Sequence, residues 1–114
     1  MAQKNPSEPF TRVSVEEVNE MLAGGGVQVV DVREPHEYAA GHVPGAALIP
    51  INPITAFMQR KDELEADKTI VFVCAMGQRS ALACEVAASL GFHDLYNLEG
   101  GTDAWIKAGK PVQK

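Results

Sequence analysis

At 114 residues and a formal charge of −5, the chain can bury one hydrophobic core without disulfide staples, and its charge argues against nucleic acid or an anionic membrane as partner. Its two cysteines stand at no zinc-ligand spacing, so no metal site is expected. No apolar run is long enough to span a bilayer and the opening residues lack a signal peptide's apolar stretch, which makes a reducing cytoplasm the expected setting.

Residues 1–10, polar and carrying Pro6 and Pro9, read as a flexible leader to a single domain over 11–114. Ser14-Val15-Glu16-Glu17 has the form of a capping box, with Val13 and Val18 placed as its hydrophobic staple. The helix it starts should end at Gly24-Gly25-Gly26, where three glycines cannot continue it cheaply. Val27 to Val32 is the next strand, apolar until Asp31. Asp31 and Arg33 follow at a sheet edge where ligands bind, as supporting site residues, and mutual or backbone pairing that fixes the turn is the favoured role. His36 is expected in solvent after Pro35, and His42, between Gly41 and Pro44, is expected to tie a tight turn. Ala46 to Ile49 reads as a short strand. Pro53 then opens a helix to about Leu64, with Ile54, Phe57 and Met58 as its apolar edge.

Ile70 to Val73 are four consecutive apolar residues, the pattern of a strand buried on both faces. From Ser80 to Leu90 the period becomes helical, with Leu82, Ala83, Val86, Ala87 and Leu90 on one face and Gly91 as the stop. Cys74 therefore ends a buried strand, and Ala75, Met76, Gly77, Gln78, Arg79 and Ser80 carry the chain onto a helix N-terminus. The first amides of a helix have no internal partner, and the helix dipole is positive there. A loop curled over the sulfur would add further amides and favour thiolate over thiol. Gly77 gives the backbone freedom for that curl, and Arg79 is expected to set a positive charge at the rim. Cys84 lies to one side of that helix's apolar face and is expected to take part in small-residue packing, since a disulfide to Cys74 would have to span more than a helical turn. Leu95 to Leu98 is the last strand; Gly100-Gly101 turn it into a final helix around Ala104 to Ala108, with Trp105 as a core anchor. The alternation of strands and helices predicts an α/β fold with a small parallel sheet of four to five strands and helices on both faces.

Loop length selects the anion. Cys74 and Arg79 are separated by four residues, where cysteine phosphatases have five. A ring of six Cα atoms about 3.8 Å apart has a radius of roughly 3.8 Å, against roughly 4.4 Å for seven. The smaller cradle suits one extra sulfur atom better than a phosphoryl group, so a phosphatase or arsenate reductase is the weaker alternative. A binding module that carries sulfur, or nothing, between proteins is the other.

The run Cys74-Ala75-Met76-Gly77-Gln78-Arg79-Ser80 resembles the Cys-x-x-Gly-x-Arg-Ser loop of single-domain rhodaneses. Three further stretches are similar to that family, in order: Asp31-Val32-Arg33-Glu34-Pro35-His36-Glu37-Tyr38, Gly41-His42-Val43-Pro44-Gly45-Ala46, and Leu98-Glu99-Gly100-Gly101 followed by Trp105. The resemblance implies a sulfurtransferase. Cys74 would take the outer sulfur of thiosulfate or a persulfide and pass it to cyanide, a cellular thiol or a protein acceptor, without a cofactor. Family members that prefer thiosulfate often carry basic residues just after the cysteine, where this chain has Ala75 and Met76. A weak affinity for thiosulfate is the expectation.

Overall fold

The computed structural model describes residues 2–114. Six strands form one sheet: β1 (Gln3–Lys4), β2 (Thr11–Val13), β3 (Val27–Asp31), β4 (Ala47–Leu48), β5 (Thr69–Val73) and β6 (Leu95–Leu98). Their order is β1-β2-β6-β5-β3-β4, parallel throughout except for the antiparallel β1–β2 pair at one edge. The helices are α1 (Val15–Gly24), α2 (Pro35–Ala40), α3 (Ile54–Gln59), α4 (Gln78–Ser89) and α5 (Gly101–Lys107). The α/β class and the helices on both faces are as expected. The sheet is wider than the expected four to five strands because two-residue strands extend both edges.

The period-two rule explains the layers, since successive strand side chains point to opposite faces. Ile70 and Phe72 of β5, and Cys74 just after it, enter a core with Phe57 of α3 and Ala83, Cys84 and Ala87 of α4. Val71 and Val73 point the other way, onto Val15 and Val18 of α1 and Trp105 of α5. Strand β5 lies between β3 and β6, buried on both faces as its unbroken apolar run requires.

Most local signals act as read, but the buried face of α4 is rotated from the expected one: Ala83 and Ala87 are buried with Cys84, while Leu82 is exposed. Ser14 Oγ accepts from the Glu17 amide at 3.2 Å while the Glu17 carboxylate accepts from the Ser14 amide at 2.8 Å, and Val13 and Val18 meet in the core. After α4, Gly91 turns at φ 100° and the Phe92 amide reaches back to the Ala87 carbonyl. The Trp105 indole donates to the Pro111 carbonyl at 2.7 Å. The helix expected from Pro53 to Leu64 is shorter. Pro53 is its N-cap, α3 stops at Gln59, and a single 3-10 turn over Lys61–Glu63 delivers Leu64 into the core. Of its expected apolar edge only Phe57 is buried; Ile54 and Met58 keep more than a third of their surface in solvent. Within the stretch read as a leader, Gln3–Lys4 pair with β2, and Phe10 next to it is buried.

Candidate functional site

The carboxyl ends of β3, β5 and β6 meet at one edge of the sheet, the edge at which open parallel sheets bind ligands. Cys74 directly follows β5 and has the side-chain parity of Phe72, so its Cβ starts toward the α4 core and only 1% of the residue is exposed. Its sulfur forms the floor of the loop. Sγ accepts from the Gly77 amide at 3.0 Å and lies 3.3 Å from Ser80 Oγ. Gly77 can turn its amide this way because it takes φ 109°, a left-handed conformation that favours glycine, as N-cap of α4.

The orientation of the loop has a second cause, on the far side of the sheet. The first free amides of α5 take its carbonyls: Thr102 N–H donates to Cys74 O at 2.8 Å and Asp103 N–H to Ala75 O at 3.0 Å. The Thr102 hydroxyl adds a bond to Cys74 O at 3.1 Å. With those oxygens held outward, the amides that follow are left to face the sulfur. Gly101 is required for so close an approach; a Cβ there would lie 2.5 Å from Ala75 O and still nearer Cys74 O. Two helix N-termini thus define the loop, α4 from within and α5 from behind.

Burial by itself would raise the Cys74 pKa. The Ser80 hydroxyl and the amides of Ser80, Gly77 and Met76 outweigh it, and the thiol lies below its ordinary value. Cys84, one level deeper on α4, is fully buried and forms no disulfide, and burial pushes its thiol far up. One sulfur is electrostatically prepared and the other is not.

Arg79 differs from the expected free charge at the rim. Its guanidinium makes two parallel bonds to Glu37 of α2, Nη1 to Oε1 at 2.8 Å and Nη2 to Oε2 at 2.9 Å. Glu37 is held down to about 2, first by those bonds, against the opposing effect of burial, with help from the Glu34 amide. The pair therefore brings little net charge to the loop. Asp31 and Arg33 form a buried fork, with Arg33 Nε 3.0 Å and Nη2 2.8 Å from the Asp31 carboxylate, and Nη2 donating to Gly41 O at 2.8 Å. They pair with each other and fix the turn toward α2, the favoured role. His42 stacks on Tyr38 with ring centroids 3.6 Å apart and bridges Gln113 through its backbone, while His36 is exposed.

Sequence reading missed three contributors: Glu37, Asn97 and Thr102. Asn97 is fully buried on β6, opposite Phe72 of β5, and its amide reaches the underside of the loop. A polar residue inside an apolar strand was the available signal. Outside the loop, Met76 is 61% exposed and stands between two clefts of about 390 and 400 Å³. The second is bordered by Ile106 and Lys107 of α5. Among the described residues no cluster of His, Cys, Asp and Glu could hold a metal ion, and no helix is long and apolar enough to cross a membrane.

A rhodanese-like domain family model matches residues 14–108. The chain is 35% identical over 99 residues to a thiosulfate sulfurtransferase GlpE of Pseudoalteromonas translucida, covering 87% of this chain and 91% of that protein. It is also 35% identical to the protein of that name from Pseudomonas aeruginosa, covering 87% of this chain and 86% of the other. Among solved structures, a rhodanese-related protein from Thermoplasma volcanium superimposes with a TM-score of 0.78 at 33% identity, covering 90% of this chain and 96% of that one.

Proposed function

The chain belongs to the rhodanese-like domain family, and from that premise we propose that it transfers sulfane sulfur through a persulfide on Cys74. The observation that carries this reading is the Cys74 sulfur held 3.0 Å from the Gly77 amide, at a site whose hydrogen bonds lower the thiol pKa. Such a sulfur attacks the outer sulfur of a donor. The new S–S bond forms as the donor's own S–S bond breaks, and the electron pair leaves with sulfite when the donor is thiosulfate. The loop amides then stabilise the extra sulfur as an anion with fixed dipoles. A thiol, cyanide or protein acceptor removes that sulfur and restores the thiolate.

The surroundings favour an uncharged or persulfide donor over thiosulfate. Arg79 is neutralised by Glu37, Ala75 and Met76 carry no charge, and the exposed Met76 and Ile106 give the second cleft an apolar rim. Cys74 is almost wholly covered, so the donor must present its reacting atom at the end of a slim, unbranched group. The KM for thiosulfate should exceed about 1 mM, the upper end of the common range. The test is incubation with thiosulfate, and separately with a low-molecular-weight persulfide, followed by intact mass and a cyanide challenge. A gain of one sulfur atom on the parent, lost with cyanide and missing in Cys74→Ala, is expected. If Cys74→Ala transfers sulfur at the parent rate, the reading is wrong; a micromolar thiosulfate KM would refute the donor preference alone.

A further inference from the structure

Ser80 is the third residue of α4 and fully buried, and its hydroxyl touches two groups, Cys74 Sγ at 3.3 Å and Asn97 Oδ1 at closer range. A hydroxyl carries one proton. The side-chain amide of Asn97 is oriented by its other partners: Nδ2 donates to Gly77 O at 3.1 Å and to Glu99 Oε2 at 2.8 Å. A carbonyl oxygen and a carboxylate oxygen can only accept, so Oδ1 must face Ser80 and take its proton. A thiolate at Cys74 would draw on that same proton.

We propose that Asn97 is a positioning residue that holds the Ser80 hydroxyl proton whenever Sγ is uncharged and yields it when Sγ becomes a thiolate. In the thiol state Cys74 S–H donates to Ser80 Oγ, and Ser80 O–H donates to Asn97. When the thiol proton leaves to solvent, the Ser80 hydroxyl swings to Sγ. Sulfur transfer (a step that rests on the function proposed above) moves the charge outward by one atom. Sγ is then neutral and bonded to the new sulfur, and the hydroxyl proton returns to Asn97. Removal of the outer sulfur by the acceptor reverses the swing.

The other contacts of Asn97 set this role apart from scaffolding. Gly77 O also accepts from the Ala81 amide at 3.2 Å, and Glu99 is held by Arg12 at 3.0 and 3.2 Å. Each keeps a partner without Asn97. Ser80 is the neighbour whose hydrogen bonding must change. The charged and titratable groups around Cys74 are the Arg79–Glu37 pair with Glu34 beyond it, the Asp31–Arg33 fork at the end of β3, Glu99 with Arg12, Asp103 at the start of α5, and Cys84. A change at position 97 adds or removes no charge among them.

The test is a double-mutant cycle read as the pH midpoint of Cys74 alkylation by iodoacetamide, followed by mass spectrometry in the parent, Asn97→Leu, Ser80→Ala and the double variant. Freed of its competitor, the Ser80 hydroxyl should stabilise the thiolate. Asn97→Leu should then lower the midpoint by about half a pH unit, roughly a threefold gain in thiolate below it. In the Ser80→Ala background the same substitution should leave the midpoint unmoved. An unchanged or raised midpoint in Asn97→Leu, or an equal shift in both backgrounds, overturns the proposal. Asn97→Ala repeats the cycle if leucine does not fold. In the folded parent, the NMR signals of the Asn97 side-chain amide should titrate with the Cys74 midpoint; signals that do not move overturn it as well. Alkylation requires no sulfur donor, so failure of the persulfide assay and failure of this cycle are separate results.

Discussion

Replacing Glu37 with Gln removes the partner that neutralises Arg79, and the consequence for stability can be worked from the site. The Glu37 carboxylate is held at about 2 against an ordinary 4.5, chiefly by the Arg79 guanidinium. At about 1.36 kcal/mol per tenfold, that difference sets a ceiling of about 3 kcal/mol. Glu37 keeps 24% and Arg79 33% of their side-chain surface in water, so screening reduces the figure to about 1–2 kcal/mol. The folded pKa is depressed, so the stabilisation is complete above 4.5 and is lost as pH falls toward 2. Urea unfolding of the parent and Glu37→Gln between pH 7 and 2.5 is the assay. The parent should be more stable by about 1–2 kcal/mol at pH 7, with more than half of that gap gone by about pH 3. A gap of the same size at pH 7 and pH 3 would refute the reasoning, because the contribution would then not come from the ionised pair. With Arg79 freed, Glu37→Gln should also lower the KM for thiosulfate and leave that for an uncharged donor nearly unchanged.

The remaining predictions concern the two sulfurs and the support behind them. With iodoacetamide at neutral pH the native protein should be modified at Cys74 and spared at Cys84, since loop donors lower the first thiol and burial raises the second; mass mapping of equal labelling at both would contradict this. Gly101→Ala places a Cβ against the Cys74 and Ala75 carbonyls at φ 60°, so the loop must shift. A loss of about 2 kcal/mol or more in urea unfolding, together with slower Cys74 alkylation, is expected; a variant with parent stability and reactivity would show that the close contact is unimportant.

What could be read in the sequence was local. The capping box at Ser14, the apolar run of β5, the change of period at α4 and the stop at Gly91 each lie within a few residues of the structure they specify. The loop at Cys74 belongs with these, because strand, glycine and helix start are contiguous. What escaped was set by distance along the chain. Glu37 and Arg79 meet across 42 positions, and nothing near either residue announces the other. Asn97 lies in a strand chosen for its apolar neighbours, and its partner Ser80 is 17 residues away. The early end of α3 is also a tertiary effect, since the chain must turn there to bring Leu64 into the core.

Because neighbouring β5 residues belong to different cores, the reactive position is tunable from two directions by different means. Repacking around Phe72 and Ala83 acts on the thiol as neighbouring bulk would. Changes around Trp105 and α5 reach it through main-chain tension, by way of the oxygens that Thr102 and Asp103 restrain. The α4 side can therefore alter the packing of the thiol while the cradle keeps its shape, whereas a change on the α5 side moves cradle and reactivity together.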